Sequence, residues 1–305
     1  MDFEIAIIGG GPAGLAAGLY AARARRKTIL FEGEAMGGQA ATADRVANYP
    51  GFPEEISGYE LTDKMEQQAQ KLGLVFEHQA VTALSSENRT FTLSTAGCSY
   101  TANKVIVASG VAPQKLGVPG EAEFLGRGVS YCATCDAAFF RNKAVLVVGG
   151  GDSAVTEAIF LTRFAKSVGI VHRRDQLRAT KIVQDEAKAN PKISFYPNQV
   201  ITALKGERVL SAAALKDVRS GAIQEVSVDG IFVYIGRVPR TEFLGGIAEL
   251  TTQSYLLTDE RMRTSWPGLF AAGDVRSKSL RQIVTAVSDG AIAAVEADRE
   301  LASNI

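Results

Sequence analysis

The sequence predicts an α/β protein of two similar domains, the second inserted into the first. A strand–helix–strand unit occurs twice along the 305 residues, and a glycine cluster follows the first strand of each copy. The last part of the chain again has the pattern of a strand followed by a long amphipathic helix. Because alternating strands and helices are typical of parallel sheets covered by helices, both domains are expected to have that architecture.

The two copies, residues 3–32 and 143–172, align without a gap at an offset of 140 residues. Each begins with a run rich in Ile, Val and Ala, which indicates a buried parallel strand. A glycine cluster, a helical pattern of small and apolar residues and a second apolar strand follow. A G-x-G-x-x-G or G-x-G-x-x-A cluster between a strand and a helix is the dinucleotide fingerprint, so each copy predicts a Rossmann-like unit.

Each fingerprint position has a physical role. The first glycine allows a tight turn, the second lets the backbone approach a pyrophosphate, and the third lets the helix pack close to the strand. The pyrophosphate lies at the helix N-terminus, where free N–H groups and the helix dipole favour negative charge. The residues predicted to bind there are Gly9, Gly11, Pro12, Ala13 and Gly14 in the first copy and Gly149, Gly151, Asp152, Ser153 and Ala154 in the second.

The ends of the two units predict different nucleotides. The first ends at Glu32, whose carboxylate suits a ribose 2′-OH and repels a 2′-phosphate, so FAD or NAD is expected. The second ends at His172, which Arg173, Arg174 and Arg178 follow. Guanidinium groups match phosphate oxygens, so this cluster predicts NADP; the alternative is a solvated start of a helix.

Composition excludes several classes of protein. Basic and acidic residues both number 33, so nothing suggests attraction to nucleic acid or to a membrane surface. No apolar run is long enough to span a bilayer, and the N-terminus lacks the basic region of a signal peptide. We therefore expect a cytoplasmic protein.

The stretch SYCATCDAAF, residues 130–139, contains two of the three cysteines, Cys132 and Cys135, followed by Asp136. It allows three interpretations: a zinc clip, a structural disulfide or a redox-active dithiol. A zinc site needs about four ligands, and the other candidates are Cys98, His78 and the His172 already assigned to a nucleotide. No metal is therefore expected. Because a structural disulfide is unusual in a reducing compartment, a redox-active pair is favoured.

From its first strand to its last helix, the chain resembles the low-molecular-weight, NADPH-dependent thioredoxin reductases, which are FAD-containing pyridine nucleotide-disulfide oxidoreductases of class II. The resemblance rests on motifs in a fixed order, of which CATCD shortly before GGGDSA is the most specific. The motifs are GGGPAG, GEAMGGQ, NYPGF, CATCD, GGGDSA, HRRDQLRA, GLFAAGDV and RQIVTA.

The resemblance implies FAD in the first domain and NADPH in the second, a homodimer, and thioredoxin or a thioredoxin-like protein as partner. It implies that electrons pass from NADPH to FAD, then to the Cys132–Cys135 disulfide and then to the partner. In this scheme Cys135 faces the flavin, Cys132 attacks the partner and Asp136 is the acid–base group, although an ordinary turn aspartate remains an alternative. Further cofactor contacts are implied for Gly37, Gly38, Gln39, Asn48, Gly236, Gly273, Asp274, Arg281 and Gln282.

The predicted FAD-binding domain comprises residues 1–113 and 243–305, and the predicted NADPH-binding domain comprises residues 114–242. The resemblance implies that the inserted domain rotates on linkers near residues 111–115 and 240–245. The apolar residues of the last helix, Ile283, Val287, Ile292 and Val295, fit a core face better than a dimer face.

One motif departs from the family pattern. Where the family commonly has G-H-x-P-N-T, this chain has GRVPRT, with Arg237 and Arg240 in place of histidine and asparagine. The departure leaves other electron donors open. Two other functions also stay open: a flavin-dependent reductase of ferredoxin or another carrier, in which the cysteines are incidental, and a redox-sensing binding protein.

Overall fold

The structure, a computed structural model, describes residues 2–43, 46 and 48–303. The chain divides into two compact units, Met1–Ala112 with Val238–Ile305, and Pro113–Arg237. Of the helices described, none is both long enough and apolar enough to cross a membrane.

The strands are β1 Phe3–Ile8, β2 Thr28–Phe31, β3 Val75–Glu77, β4 Ala83–Glu87, β5 Thr90–Ser94, β6 Ser99–Val107, β7 Val111–Pro113, β8 Val129–Ser130, β9 Ala144–Val148, β10 Ser167–His172, β11 Ile193–Pro197, β12 Gln199–Gly206, β13 Leu210–Asp217, β14 Ile223–Ser227, β15 Gly230–Val233, β16 Arg237–Pro239 and β17 Leu269–Ala271. The α-helices are α1 Pro12–Arg23, α2 Gly38–Ala41, α3 Gly58–Gln70, α4 Ala133–Asp136, α5 Asp152–Leu161, α6 Lys181–Ala189 and α7 Ile283–Ala302. Short 3-10 turns cover Ala137–Phe140, Glu242–Leu244 and Gly273–Val275.

The first unit has a mixed sheet in the order β3-β2-β1-β6-β5-β4, with β17 also paired to β6. Strands β1, β2, β3, β6 and β17 are parallel, whereas β4 and β5 add an antiparallel hairpin. Ile5 and Ile7 face one core cluster, while Ala6 and Ile8 face another on the opposite side of the sheet. Both faces are therefore buried, which explains why residues 5–8 of β1 form a continuous apolar run.

The second unit has a fully parallel sheet in the order β11-β10-β9-β15-β8 and a separate antiparallel sheet, β12-β13-β14. The repeat predicted from the sequence extends to the pairing register. Ile5 pairs with Thr28 in the first unit and Val145 pairs with Val168 in the second, which is the same register 140 residues later. The predicted α/β class with two Rossmann-like domains is confirmed.

The chain returns from the second unit to the first between residues 237 and 238, whereas the predicted boundary lies five residues later, between 242 and 243. Arg240 explains the difference, because it is fixed to the first unit by three groups. Its N–H donates to the Gly110 carbonyl, its carbonyl accepts the Ser109 hydroxyl at 2.6 Å, and its guanidinium contacts both oxygens of Glu34 at 3.0 Å. Strands β16 and β7 form a two-stranded sheet of their own.

Helix α7 packs on α1 through small residues. The apolar residues that α7 buries are alanines and a glycine, whereas Val287, Ile292 and Val295 are partly exposed. The expectation that this apolar stripe faces the core holds for Ile283, which packs on a core cluster, and is wrong for Ile292, which is exposed. The reason is close approach: a Cβ at Gly290 would overlap the backbone carbonyl of Ala13, so only small side chains fit on this face.

Replacing Gly290 by Ala should lower the free energy of unfolding by about 2 kcal/mol, because overpacking against backbone outweighs the gain in helix propensity of about 1 kcal/mol. Urea denaturation followed by circular dichroism measures the change. Ser288→Ala, an exposed change on the same helix, should be neutral or slightly stabilising. Equal stability of the two variants would contradict the close packing of α7 on α1.

Candidate active site

The first fingerprint forms an open turn between β1 and α1. Gly9 has φ +112°, and a Cβ at Gly14 would overlap the Gly9 carbonyl oxygen, so the helix packs directly on the end of the strand. Gly11 caps α1 without a side-chain hydrogen bond, and a Cβ there would meet no atom within 4 Å. The N-terminus of α1 is thus accessible and bare of side chains, as a pyrophosphate requires.

Glu32 lies at the end of β2 and reaches back to this turn. Its carboxylate accepts the Gly10 N–H at 2.7 Å and the Glu34 N–H at 2.8 Å. Each carboxylate oxygen keeps further lone pairs, so Glu32 can still accept a hydrogen bond from a ribose hydroxyl. The two backbone contacts fix its orientation beside the glycine turn.

Several residues implied for the flavin meet around the first turn. The Gly37 N–H donates to the Gly10 carbonyl at 2.9 Å, and a Cβ on Gly38 would lie 3.3 Å from the Gly11 Cα. Gly273 approaches Ala13, where a Cβ would come within 2.8 Å of the alanine side chain. The loop 37–39 and the turn 273–275 therefore border the N-terminus of α1.

The remaining implied flavin residues form contacts of their own. Asn48 donates to the Gln282 side chain at 3.1 Å, and the Gln39 amide donates to the Val111 carbonyl. The Arg281 guanidinium stacks 4.3 Å from the Tyr255 ring centre, while its buried Nε has no hydrogen-bond partner within the described residues. Asp274 lies half-buried in the turn 273–275.

A buried charge cluster that sequence analysis missed supports the same turn. The Asp289 carboxylate accepts the Gly273 N–H at 3.0 Å and contacts Arg276 and Lys278, both at 2.8 Å. All three charged side chains are largely buried. No local pattern marks Asp289, because its partners come from a different element.

The second fingerprint has the same geometry. Gly149 has φ +150°, Gly151 caps α5 with open space beside it, and Ala154 packs under the turn. The Asp152 carboxylate accepts the Thr180 N–H and hydroxyl, both at 2.8 Å, and these bonds lower the pKa of Asp152. Ser153 follows on the exposed side of the helix start.

His172 and the arginines take different positions. The His172 ring is only 7% exposed, and a Cβ on Gly150 would overlap it, so the ring supports the glycine turn from below. Burial, and then the charge of Arg178, lowers the pKa of His172. Arg173, Arg174 and Arg178 are exposed and form no ion pair with any described residue. They remain available to bind an anion.

Gly236 lies beyond β15 in the same unit. Its φ is +150°, and its carbonyl accepts the Gln114 N–H at 2.9 Å. A Cβ at this position would come within 2.6 Å of the Gln114 side chain.

Cys132 and Cys135 form a disulfide across the first turn of α4, with their Cα atoms 5.4 Å apart. This arrangement is not that of a zinc clip. Cys132 is half-buried and its Sγ accepts the Cys135 N–H at 3.2 Å, whereas Cys135 is exposed. Asp136 ends the helix half-buried, and its N–H donates to the Cys132 carbonyl at 3.2 Å. Cys98 is exposed and free.

Three side chains that sequence analysis missed hold the disulfide loop. Ser130 exchanges hydrogen bonds with the Cys132 backbone, at 3.0 and 3.1 Å. The Tyr131 hydroxyl donates to Glu121 at 2.6 Å, and the Tyr234 hydroxyl oxygen accepts the Ala133 N–H at 2.7 Å. Tyr131 and Ser130 adjoin the cysteines in sequence, but Tyr234 lies about a hundred residues away, beyond any local signal.

Glu121 joins this loop to the start of the second unit. Its carboxylate is 6% exposed and accepts three hydrogen bonds, from the N–H groups of Leu116 and Gly117, both at 2.7 Å, and from Tyr131. A buried carboxylate satisfied by three donors fixes all of them in place.

Comparison with known proteins gives consistent matches over the whole chain. The model of the family described as pyridine nucleotide-disulphide oxidoreductase matches residues 3–290. A thioredoxin reductase of Treponema pallidum is 47% identical, with 96% of this chain and 95% of that protein covered.

Two solved structures extend the comparison. The thioredoxin reductase of Lactococcus lactis is 43% identical, has a TM-score of 0.92, and is matched over 99% of both chains. A ferredoxin-flavin thioredoxin reductase of Clostridium acetobutylicum is 31% identical, with a TM-score of 0.55 and coverage of 99% of this chain and 98% of the other. Both are named thioredoxin reductases, and the name of the second also includes ferredoxin.

Glu121→Gln should lower the free energy of unfolding by about 2 kcal/mol, because hydrogen bonds to a charged carboxylate are lost and the amide NH2 group would face one of the three donors. Urea denaturation measures the loss, and Glu123→Gln, an exposed change two residues away, is the matched control. If both variants matched the parent protein, Glu121 would not be the buried anchor described above.

Proposed function

Because the chain belongs to the pyridine nucleotide-disulphide oxidoreductase family, we propose that it is a flavin-dependent reductase of thioredoxin or a thioredoxin-like protein, with NADPH as electron donor. The observation that carries the proposal is the Cys132–Cys135 disulfide on an exposed helical turn, in the same unit as an arginine-flanked dinucleotide fingerprint. A dithiol that alternates with such a disulfide is suited to exchange with a protein disulfide.

FAD fits the first unit. The N-terminus of α1, which has no capping side chain, would offer N–H groups to the pyrophosphate, and Glu32, held beside the same turn through Gly10, would accept a ribose hydroxyl. The loop 37–39 and the turn 273–275 border that N-terminus, and Arg281 has a buried nitrogen that still needs an acceptor. When bound, FAD supplies the chemistry that connects a two-electron hydride donor to a disulfide.

NADPH fits the second unit. The open turn at Gly151 takes the pyrophosphate, and the three exposed arginines that follow β10 offer guanidinium groups for a 2′-phosphate. His172 contributes by supporting the turn, and burial keeps its ring neutral, so the phosphate charge is matched by the arginines. The departures at Arg237 and Arg240 do not remove this cluster: the Arg240 guanidinium contacts Glu34.

The residues of the disulfide loop would divide the exchange between them. Cys132 attacks the partner disulfide and forms the mixed disulfide, Cys135 resolves it, and Asp136 holds the proton that the thiols exchange. Phe139, three residues beyond Asp136, is 72% exposed and offers an apolar contact to a docking protein.

We further infer a homodimer, supported by the partly exposed Val287, Ile292 and Val295 on α7. Analytical ultracentrifugation tests the assembly. The cytoplasmic location stays a prediction, which fractionation of cells would test.

Cys135→Ser should abolish reduction of thioredoxin with NADPH while flavin-mediated reduction of ferricyanide by NADPH continues, because only the first reaction needs the disulfide. Insulin precipitation coupled to thioredoxin and ferricyanide bleaching measure the two activities. Cys98→Ser, which changes the exposed free cysteine, should retain both.

A parent protein that reduces ferricyanide with NADPH at full rate but does not reduce thioredoxin, and whose activity survives in Cys135→Ser, would instead favour a reductase of ferredoxin or another carrier with incidental cysteines. A parent protein whose flavin is reduced only slowly, and which keeps a stable partner complex, would favour a redox-sensing binding protein.

Arg173→Ala combined with Arg178→Ala should raise KM for NADPH at least about tenfold and leave KM for NADH unchanged, because charge-assisted bonds to a 2′-phosphate are lost. Stopped-flow reduction of the flavin measures both nucleotides. Arg208→Ala, an exposed arginine elsewhere in the same unit, is the control. An equal effect on NADPH and NADH, or none on either, would exclude these arginines as the phosphate site.

A further inference from the structure

Asp289 is a buried carboxylate whose contacts lead to the turn 273–275 and to the segment that follows it. It lies on α7, is 6% exposed, and accepts the Gly273 N–H at 3.0 Å. Its other partners, Arg276 and Lys278, both lie 2.8 Å away. Oδ1 faces Arg276, while Oδ2 accepts from both Gly273 and Lys278. Because one carboxylate accepts from all three donors, it fixes the turn and the following segment to α7.

The two cations depend on Asp289 for their counter-charge. The side chains of Arg276 and Lys278 are 13% and 10% exposed, and among the described residues their ion pairs are with Asp289 alone. Thr258 and Thr285 also accept hydrogen bonds from them, at 2.9 and 3.3 Å, but neither hydroxyl carries a charge. A buried charge that loses its partner is strongly destabilised. Without the carboxylate, two buried cations repel each other, and we expect the segment that carries them to move.

The turn 273–275 borders the start of α1, where the first fingerprint predicts the pyrophosphate. Gly273 has φ +79°, and a Cβ there would lie 2.8 Å from the Ala13 side chain. One residue after Asp289, a Cβ at Gly290 would overlap the Ala13 carbonyl, so α7 approaches α1 at the same residue. Asp289 therefore holds the turn beside a helix start that has no capping side chain. A displacement of the turn would change the border of this site.

We propose that Asp289 is a positioning residue for the flavin: through the Gly273 N–H and the two cations it holds the turn 273–275 in the geometry that binds FAD. The inference deepens the proposed function, since it rests on FAD binding at the first fingerprint. Asp289 acts through the turn, and its own oxygens are occupied by protein donors.

Glu296 provides a matched comparison on the same helix. It is 4% exposed and pairs with Arg261, Arg263 and Arg299, so it too is a buried carboxylate that compensates several cations. None of these described partners lies in the turn 273–275 or in the segment between it and α7. Loss of the Glu296 charge should therefore lower stability and leave the flavin site unchanged.

The test compares Asp289→Asn with Glu296→Gln and with the parent. Each FAD-loaded protein is diluted, and the fluorescence of released FAD at equilibrium gives the dissociation constant. Whichever way the new amide is turned, its NH2 group faces a donor that the carboxylate accepted. We expect the dissociation constant for FAD to rise at least about tenfold in Asp289→Asn and to stay within about twofold of the parent in Glu296→Gln. The visible circular dichroism of the flavin that stays bound should change in Asp289→Asn alone.

Urea denaturation compares the stability of the two variants. If Asp289→Asn does not fold, Lys278→Met with and without Asp289→Asn replaces it, because one buried cation and not two then loses its counter-charge. The tenfold difference should appear within that pair.

An unchanged dissociation constant in the Asp289→Asn protein, or an equal rise in Glu296→Gln, overturns the proposal. The experiment uses neither nicotinamide nor thioredoxin. A parent protein that does not bind FAD would overturn the proposed function and this inference together. A parent protein that binds FAD but fails to reduce thioredoxin would overturn the proposed function alone.

Discussion

The close packing of α1 is the constraint on which the first unit depends. The helix begins so near the end of β1 that a side chain at Gly14 would overlap the Gly9 carbonyl, and α7 approaches it from another side at Gly290. Backbone therefore holds α1 from both directions, and its N-terminus has no capping side chain. Gly273 packs against Ala13 in the first turn of α1. The turn 273–275 therefore lies beside the N-terminus of this helix.

The second unit has the same strand–turn–helix arrangement, and the two units differ in the residues beside the glycine turn. Strand register and helix start are conserved between the two copies at the 140-residue offset, whereas the second strand ends in a carboxylate in one and in a histidine before two arginines in the other. Glu32 accepts the N–H of Gly10 in its glycine turn, while the His172 ring lies under Gly150 and the arginines that follow it are exposed. Two units with the same strand register and helix start thus differ most in the residues that end the second strand, the position that distinguishes nucleotides in this fold.

The sequence predicts these local features well because they depend on neighbours in the chain. The fingerprints, the parallel strands and the spacing of the cysteines each lie within one short segment. The anchors of the two sites escaped prediction because their contacts join separate elements or loops and follow no periodic pattern: Asp289 meets Gly273, Glu121 meets Tyr131, and Tyr234 meets Ala133 about a hundred residues away. The second division between the units differs by five residues from the predicted boundary, and Ile292 on α7 faces outward, for a related reason: contacts of Arg240 with Gly110 and of Gly290 with Ala13 decide these features, and hydrophobic pattern does not.

In the disulfide loop, hydrogen bonds fix the backbone and leave the sulfur atoms free to react. Ser130, Tyr131 and Tyr234 all bond to backbone or to the buried Glu121, and of these contacts none is to a sulfur atom. The bonds that fix the loop can therefore persist whether the S–S bond is closed or open, and the Cys135 amide contact to Cys132 is a bond that the redox change can alter. Because the supporting hydrogen bonds do not involve the sulfur atoms, the loop can keep one conformation while its cysteines change redox state. Thiol exchange then need not include the entropic cost of reordering the loop.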